Sequence, residues 1–209
     1  MMDSMAQQGL STKDRLINTV SDMLDGAHPQ HILVEDVLSA SGVARGSLYH
    51  HFGDFPALIE ATLVRRFTAG VDYSNAVIGD ITATSTSATE FFDRMYEMSA
   101  DAQHPERAHR RAERARELGM AHSNERFRAL LSVEQERLTN TLVDAVEVAK
   151  VKGWIRKDLD SRAIAVFLQA YTLGRAVDDV AITKVEPEAW NTLIRAVTLP
   201  LANSAPLAE

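Results

Sequence analysis

Residues 34–52 read VEDVLSASGVARGSLYHHF, and the rest of the chain is understood outward from them. Val34 to Ala40 fits a short helix with Val37 and Leu38 turned inward, and Ala44 to Phe52 fits another. Between them lies Ser41-Gly42-Val43, with glycine where a left-handed backbone meets no Cβ clash. Two short helices joined this tightly form a helix-turn-helix, whose second helix lies in a DNA major groove with its first turn at the base edges. The predicted contacts on that helix are Arg45, Gly46, Ser47, Tyr49 and His50, joined by Val34, Thr12 and Lys13 at the starts of the preceding helices. Arginine can donate two parallel hydrogen bonds to guanine, while serine or histidine can hold a phosphate. Leu48 and Phe52 are assigned to the core.

Helical periodicity continues on both sides. Ser11-Thr12-Lys13-Asp14 predicts a capping box opening a helix to Asp25, ended by Gly26 and Pro29. Asp54 and Pro56 open a fourth helix that buries Leu58, Ile59, Leu63 and Phe67. The Ser/Thr-rich stretch from Ile81 to Thr89 predicts a loop. Ser87 then caps a helix carrying Phe91, Phe92, Met95, Tyr96 and Met98. Pro105 starts an arginine-rich helix to about Gly119, and Ser123 caps a long one to about Lys152, stopped by Gly153. Asp160 caps a helix to about Ile182, Pro187 starts the last one, ending at Pro200, and the tail from Asn203 is expected to be loose. This is an all-α chain of about nine helices, three short ones first and longer ones after.

Composition narrows the function. The absence of cysteine excludes disulfides, thiolate metal sites and cysteine nucleophiles. No apolar run approaches the roughly 18 residues that cross a bilayer, and Met1 to Leu10 has neither the basic start nor the apolar centre of a signal peptide, so a cytoplasmic protein is expected. There is no glycine-rich phosphate loop and no strand-turn-helix to present a serine nucleophile, so no enzymatic activity and no cofactor are expected. His50 and His51 point about 100° apart on a helix and share no metal ion; one is expected on a phosphate and the other packed inward. Net charge is −7, and between Ser11 and Phe67 five basic residues (Lys13, Arg15, Arg45, Arg65, Arg66) face seven acidic ones. DNA binding therefore rests on local geometry, not bulk charge.

The stretch Val34-Glu35-Asp36-Val37-Leu38, Ser41-Gly42-Val43, Arg45-Gly46-Ser47-Leu48-Tyr49-His50-His51-Phe52 and Leu58 resembles the recognition domain of the TetR (tetracycline-repressor-like) family. Gly153-Trp154-Ile155, Asp158-Leu159-Asp160 and Arg162-Ala163 resemble a common approach to the last helices of that family's body. The resemblance implies a helix-turn-helix DNA-binding domain at residues 1–53 and a ligand-binding and dimerisation domain at 54–209. It further implies a homodimer on a palindromic operator, acting as a repressor released by a small-molecule effector. Three positions depart from the family: Ala44 replaces a capping Ser or Thr, Ile32-Leu33 replaces a Thr or Ser, and Phe55 replaces a lysine. Each departure removes a polar contact to the DNA backbone, which predicts weaker or more salt-sensitive binding.

In the body, Phe91, Met95, Tyr96, Met98, Phe127, Leu131 and Tyr171 could line an effector pocket or form plain core. The two tyrosines are the better candidates, since a buried hydroxyl needs a partner. The helix from Asp160 is apolar almost all round and needs two packing partners. Phe167, Ala170, Gly174 and Val177, with Trp190, Leu193, Ile194 and Val197 of the last helix, are the predicted dimer interface. Arg107, Arg110, Arg111 and Arg114 share one helical face, either a solvated face paired with Glu106, Glu113 and Glu117 or an anion or phosphate site.

Overall fold

Ser11 opens the first helix as a capping residue. Its Oγ accepts from the Asp14 amide at 3.1 Å and donates to the Asp14 carboxylate at 2.6 Å. The computed structural model describes residues 10–202; the chain before Leu10 and the tail from Asn203 lie outside the described residues. Among the described residues every regular element is helical, apart from one isolated bridge between Ile155 and Ala202. None of these helices is long and apolar enough to cross a membrane.

The chain divides into two compact units, the first ending at Ala69 and the second starting at Gly70. The first contains α1 (Thr12–Leu24), α2 (Val34–Ser41), α3 (Arg45–Phe52) and the opening turns of α4 (Phe55–Thr84). Its core is Leu16, Val20, Val37, Leu48, Leu58 and Leu63, all fully buried. Gly42 ends α2 at φ 64°, where any Cβ would strain the backbone. Arg15 reaches the end of α2 and donates from Nη2 to the Ser41 carbonyl at 2.5 Å, a cation on the negative end of a helix. Arg66 ties α4 to α1 through the Ser21 carbonyl at 2.9 Å and the Asp25 carboxylate at 2.7 Å. These ties explain why the division falls inside α4 and not at residues 53–54, where the sequence turns.

α4 runs on to Thr84, through the first four residues of the predicted Ser/Thr loop, and the next helix takes up its end from Ala88. Two causes are visible. Ile78 and Ile81 are buried and hold the helix to the core, and the hydroxyls of Thr82, Thr84 and Ser85 bond back to carbonyls four residues earlier. Only Ser85 to Ser87 remains as a connection.

The second unit adds α5 (Ala88–Gln103), α6 (Ala108–Ser123), α7 (Glu125–Val151), α8 (Ser161–Gly174), α9 (Ala176–Asp179) and α10 (Pro187–Thr198). Ile81, Phe91, Val146, Ala149, Ile155 and Ile164 form a core cluster, with Met95 and Met98 packed against it. Ser87 caps α5 as predicted, while the Glu90 carboxylate reaches back to the Thr86 amide at 2.9 Å. α6 passes Gly119 and ends at Ser123, so the cap of α7 is Asn124, whose Oδ1 accepts from the Phe127 amide at 3.0 Å. The predicted single helix from Asp160 to Ile182 is interrupted at Arg175, and α9 is a separate short piece. Glycine at 174 is the weakest helix former there. The Arg175 side chain is buried, with Nη2 donating to the Val185 carbonyl at 2.8 Å, which holds the chain folded back.

Candidate nucleic-acid interface

α2 and α3 meet around Gly42 as a helix-turn-helix. Leu48 is fully buried and Phe52, one turn on, is half-buried, so these two face the core. Arg45, Gly46, Tyr49, His50 and also His51 are exposed, and Ser47 is half-buried. His51 therefore lies outside the core, contrary to the expectation that one histidine packs inward. Val34 and Thr12 are half-buried at the first positions of α2 and α1, and Lys13 is exposed beside Thr12.

No side chain caps α3: Ala44 stands at its N-cap without a hydrogen-bonding group. The amides of Arg45 and Gly46 open the helix, and such amides suit a phosphate oxygen. Arg45 itself is engaged. Its Nη2 donates to the Glu35 carboxylate at 2.6 Å, linking the first turns of the two helices. That hydrogen bond holds the Glu35 carboxyl below its ordinary pKa and raises that of Arg45, with a smaller contribution from Tyr49. Glu35 was not among the predicted contacts. It lies ten residues from Arg45, beyond any helical repeat, so only the folded turn brings the two together.

The second unit sorts its candidates differently. Phe91, Phe127 and Leu131 are buried core, and Met95, Tyr96, Met98 and Tyr171 are half-buried. The two tyrosine hydroxyls already have partners, Thr198 Oγ1 for Tyr96 and Ser99 Oγ for Tyr171, each at 2.7 Å. Burial raises the Tyr171 pKa, opposed by its bond to Ser99. A cavity of about 270 Å³ lies elsewhere, lined by residues including Gln103, His104, Arg175, Glu188, Trp190 and Asn191. None of the seven predicted pocket residues lines it.

On the apolar surface, Phe167, Ala170, Gly174, Val177, Leu193 and Val197 are exposed, with Val177 at 77%. Trp190 and Ile194 turn the other way. Ile194 is buried, and Trp190 is half-buried with its Nε1 donating to Gln103 Oε1. α10 is thus amphipathic, and these two residues belong to its inner face. The arginine stripe corrects the solvated-face expectation as well. Arg111 is buried and binds Asp179 through two bonds of 2.7 and 2.6 Å; Arg107 pairs with Asp101, and Arg114 donates to Gln135 at 2.7 Å. Desolvation lowers the Arg114 pKa. Of the four, only Arg110 is exposed.

No family model and no curated protein sequence matches the chain. Solved structures do. The ketosteroid transcriptional regulator KstR2 of Mycobacterium tuberculosis is 20% identical with a TM-score of 0.54, covering 93% of this chain and 96% of that one. A putative TetR-family transcriptional regulator from Rhodococcus sp. is 20% identical with a TM-score of 0.60, covering 90% and 97%. A putative transcriptional regulator from Saccharomonospora viridis, solved in complex with choline, is 14% identical with a TM-score of 0.67, covering 92% and 98%. The fold is that of the TetR-family regulators.

Within the TetR fold the three departures now have locations. Ala44 leaves α3 uncapped, Ile32 is buried with Leu33 exposed ahead of α2, and Phe55 is the half-buried first residue of α4. The exposed candidates Arg45, Tyr49 and His50 all lie on α3.

Proposed function

We propose that this chain is a sequence-specific DNA-binding transcriptional regulator, a repressor released by a small molecule. The observation that carries the reading is the helix-turn-helix exposing Arg45, Tyr49 and His50 over an uncapped helix start. In this reading residues 1–53 contact DNA, with Thr12, Lys13, Val34, Gly46 and Ser47 on the backbone, and residues 54–209 bind the effector and pair the subunits. The pairing surface is the exposed apolar set Phe167, Ala170, Gly174, Val177, Leu193 and Val197. Two copies related by a twofold axis would set two reading helices about 34–36 Å apart, on successive turns of a palindromic cytoplasmic operator.

Release is a population shift: effector binding favours a body conformation in which the two heads no longer match adjacent grooves. α4 is the lever, because one helix belongs to both units. A small-molecule effector is supported by the neighbours of this fold, one of which was solved with choline bound. The test is a titration of the full-length protein against the promoter of its own gene and a scrambled duplex, across salt. Preference for the promoter, weakening with salt, is expected. Equal affinity for both duplexes, or none, overturns the reading.

A further inference from the structure

The cavity beside Trp190 carries a chemical signature that the apolar core lacks. It lies where the end of α5 (Ala100, Asp101, Gln103, His104) meets Arg175 and the start of α10 (Pro187, Glu188, Trp190, Asn191). Arg175 is 97% buried by its 3% exposure, and its Nη1 is buried with no hydrogen-bond partner among the described residues. The Asp178 carboxylate is 3.3 Å from that nitrogen, but it also accepts from the Val185 amide at 3.0 Å. A buried guanidinium with an unmet donor is costly, and a ligand oxygen would relieve it. The guanidinium carbon sits 5.1 Å from the centre of the Trp190 ring, so a flat polar cation and a flat apolar surface border the same space.

The charges around the cavity are mixed, and the place for an anion is its Arg175 end. α10 starts at the cavity with Pro187 and Glu188, and no side chain caps it. Its partial positive charge meets no capping side chain and is offset only by the exposed Glu188 of the first turn. The opposing negative end of α5 is compensated, because Arg111 Nη1 donates to the Ala102 and His104 carbonyls at 2.9 and 3.0 Å. Asp101 is paired with Arg107. Glu188 is the remaining carboxylate in the lining, and it is exposed.

We propose that this cavity binds a small organic carboxylate, its anionic end on Arg175 and its flat apolar part along Trp190. Its size, just below the usual range for ligand sites, suits nothing larger than a single ring with one acidic group. The proposal rests on the effector-responsive reading and names the class of effector. Asn191 and Gln103 supply amides at the wall, although Gln103 is engaged with Ser99 and Trp190.

The experiment is calorimetric titration of the DNA-free, full-length protein with three probes of one shape: benzoate, benzamide and benzyltrimethylammonium. Benzoate is expected to bind at least about tenfold more tightly than either of the others. Arg175→Met is expected to abolish that preference. Because a buried arginine can be needed for folding, Glu188→Gln provides a second variant on the exposed wall; it should tighten benzoate and leave benzamide unchanged. Benzamide binding as well as benzoate, no benzoate binding at 10 mM (roughly the millimolar limit of useful affinity), or no response to Glu188→Gln overturns the site. Benzoate binding that leaves promoter affinity untouched keeps the site and fails the effector reading instead.

Discussion

Arg45 and Glu35 stand 2.6 Å apart at the first turns of the two helices of the helix-turn-helix. On the proposed DNA-facing surface the contact places a carboxylate beside the cation. It also aims the guanidinium, since one of its nitrogens is held while the other donors stay available. Removing Arg45 and removing Glu35 therefore have opposite electrostatic consequences.

Arg45→Ala should weaken specific binding by about 1–3 kcal/mol and relax preference at one base pair per half-site, if the guanidinium reads guanine. Glu35→Gln should strengthen binding to random DNA by removing a negative charge. Competition assays with single-base operator variants check both. Equal loss on specific and random DNA for Arg45→Ala would falsify base reading and assign the residue to phosphate.

Phe55→Lys should raise DNA affinity at low salt and add about one to the salt slope, by restoring a cation at the start of α4. Phe55 is half-buried, so thermal stability must be measured alongside. A stable variant whose slope is unchanged would show that this helix start does not approach the backbone.

Asp179→Asn should cost about 3 kcal/mol, because Arg111 would keep its charge in a buried place without a counter-ion. For a chain this size that lowers the melting temperature by several degrees, roughly 2–4 °C per kcal/mol. The Arg111 bonds hold the Asp179 pKa below its ordinary value. A lowered folded pKa means the pair stabilises the protein fully above the unfolded value, about 3.9, and less as pH falls through the folded one. The gap between melts of wild type and variant should thus begin to shrink only as pH falls below about 4, and close as it passes the lowered folded value. A gap as large at pH 2 (roughly two units under the unfolded value) as at neutral pH would mean that the ion pair is not its source.

Val177→Asp and Leu193→Asp change exposed positions, whereas Ile194→Asp changes a buried one. The first two should dissociate a dimer, since a carboxylate would be trapped unpaired between copies, and operator binding should vanish with it. Ile194→Asp should unfold the second unit itself. Sedimentation velocity distinguishes the cases. Wild-type protein running as a monomer at micromolar concentration would defeat the pairing surface outright.

Much of this architecture was legible because its signals are local. Ser11, Ser87 and Asp160 announce helix starts within three residues, and Gly42 and Gly153 mark left-handed stops. The helix-turn-helix was legible for the same reason. What escaped depends on distant partners. The Ser/Thr stretch after Ile81 is polar in sequence, yet Ile81 is buried against Phe91 and Ile164, and the hydroxyls turn back on their own helix. The arginine stripe looked solvated because its partner Asp179 lies 68 residues away. Tyr96 and Tyr171 suggested a ligand because Thr198 and Ser99, 102 and 72 residues distant, cannot be paired with them by periodicity.

The interruption at Arg175 has a consequence for any pairing of two copies. An unbroken apolar helix repeats itself every turn, about 5.4 Å, so a mate can slip along it and find nearly equivalent contacts. Here the helix stops at Gly174, Val177 sits on the separate short α9, and Val180, Ile182 and Val185 are exposed on irregular backbone after it. Such an end has no translational repeat. In a pair formed along α8 it would act as a stop against sliding and leave the two copies one register.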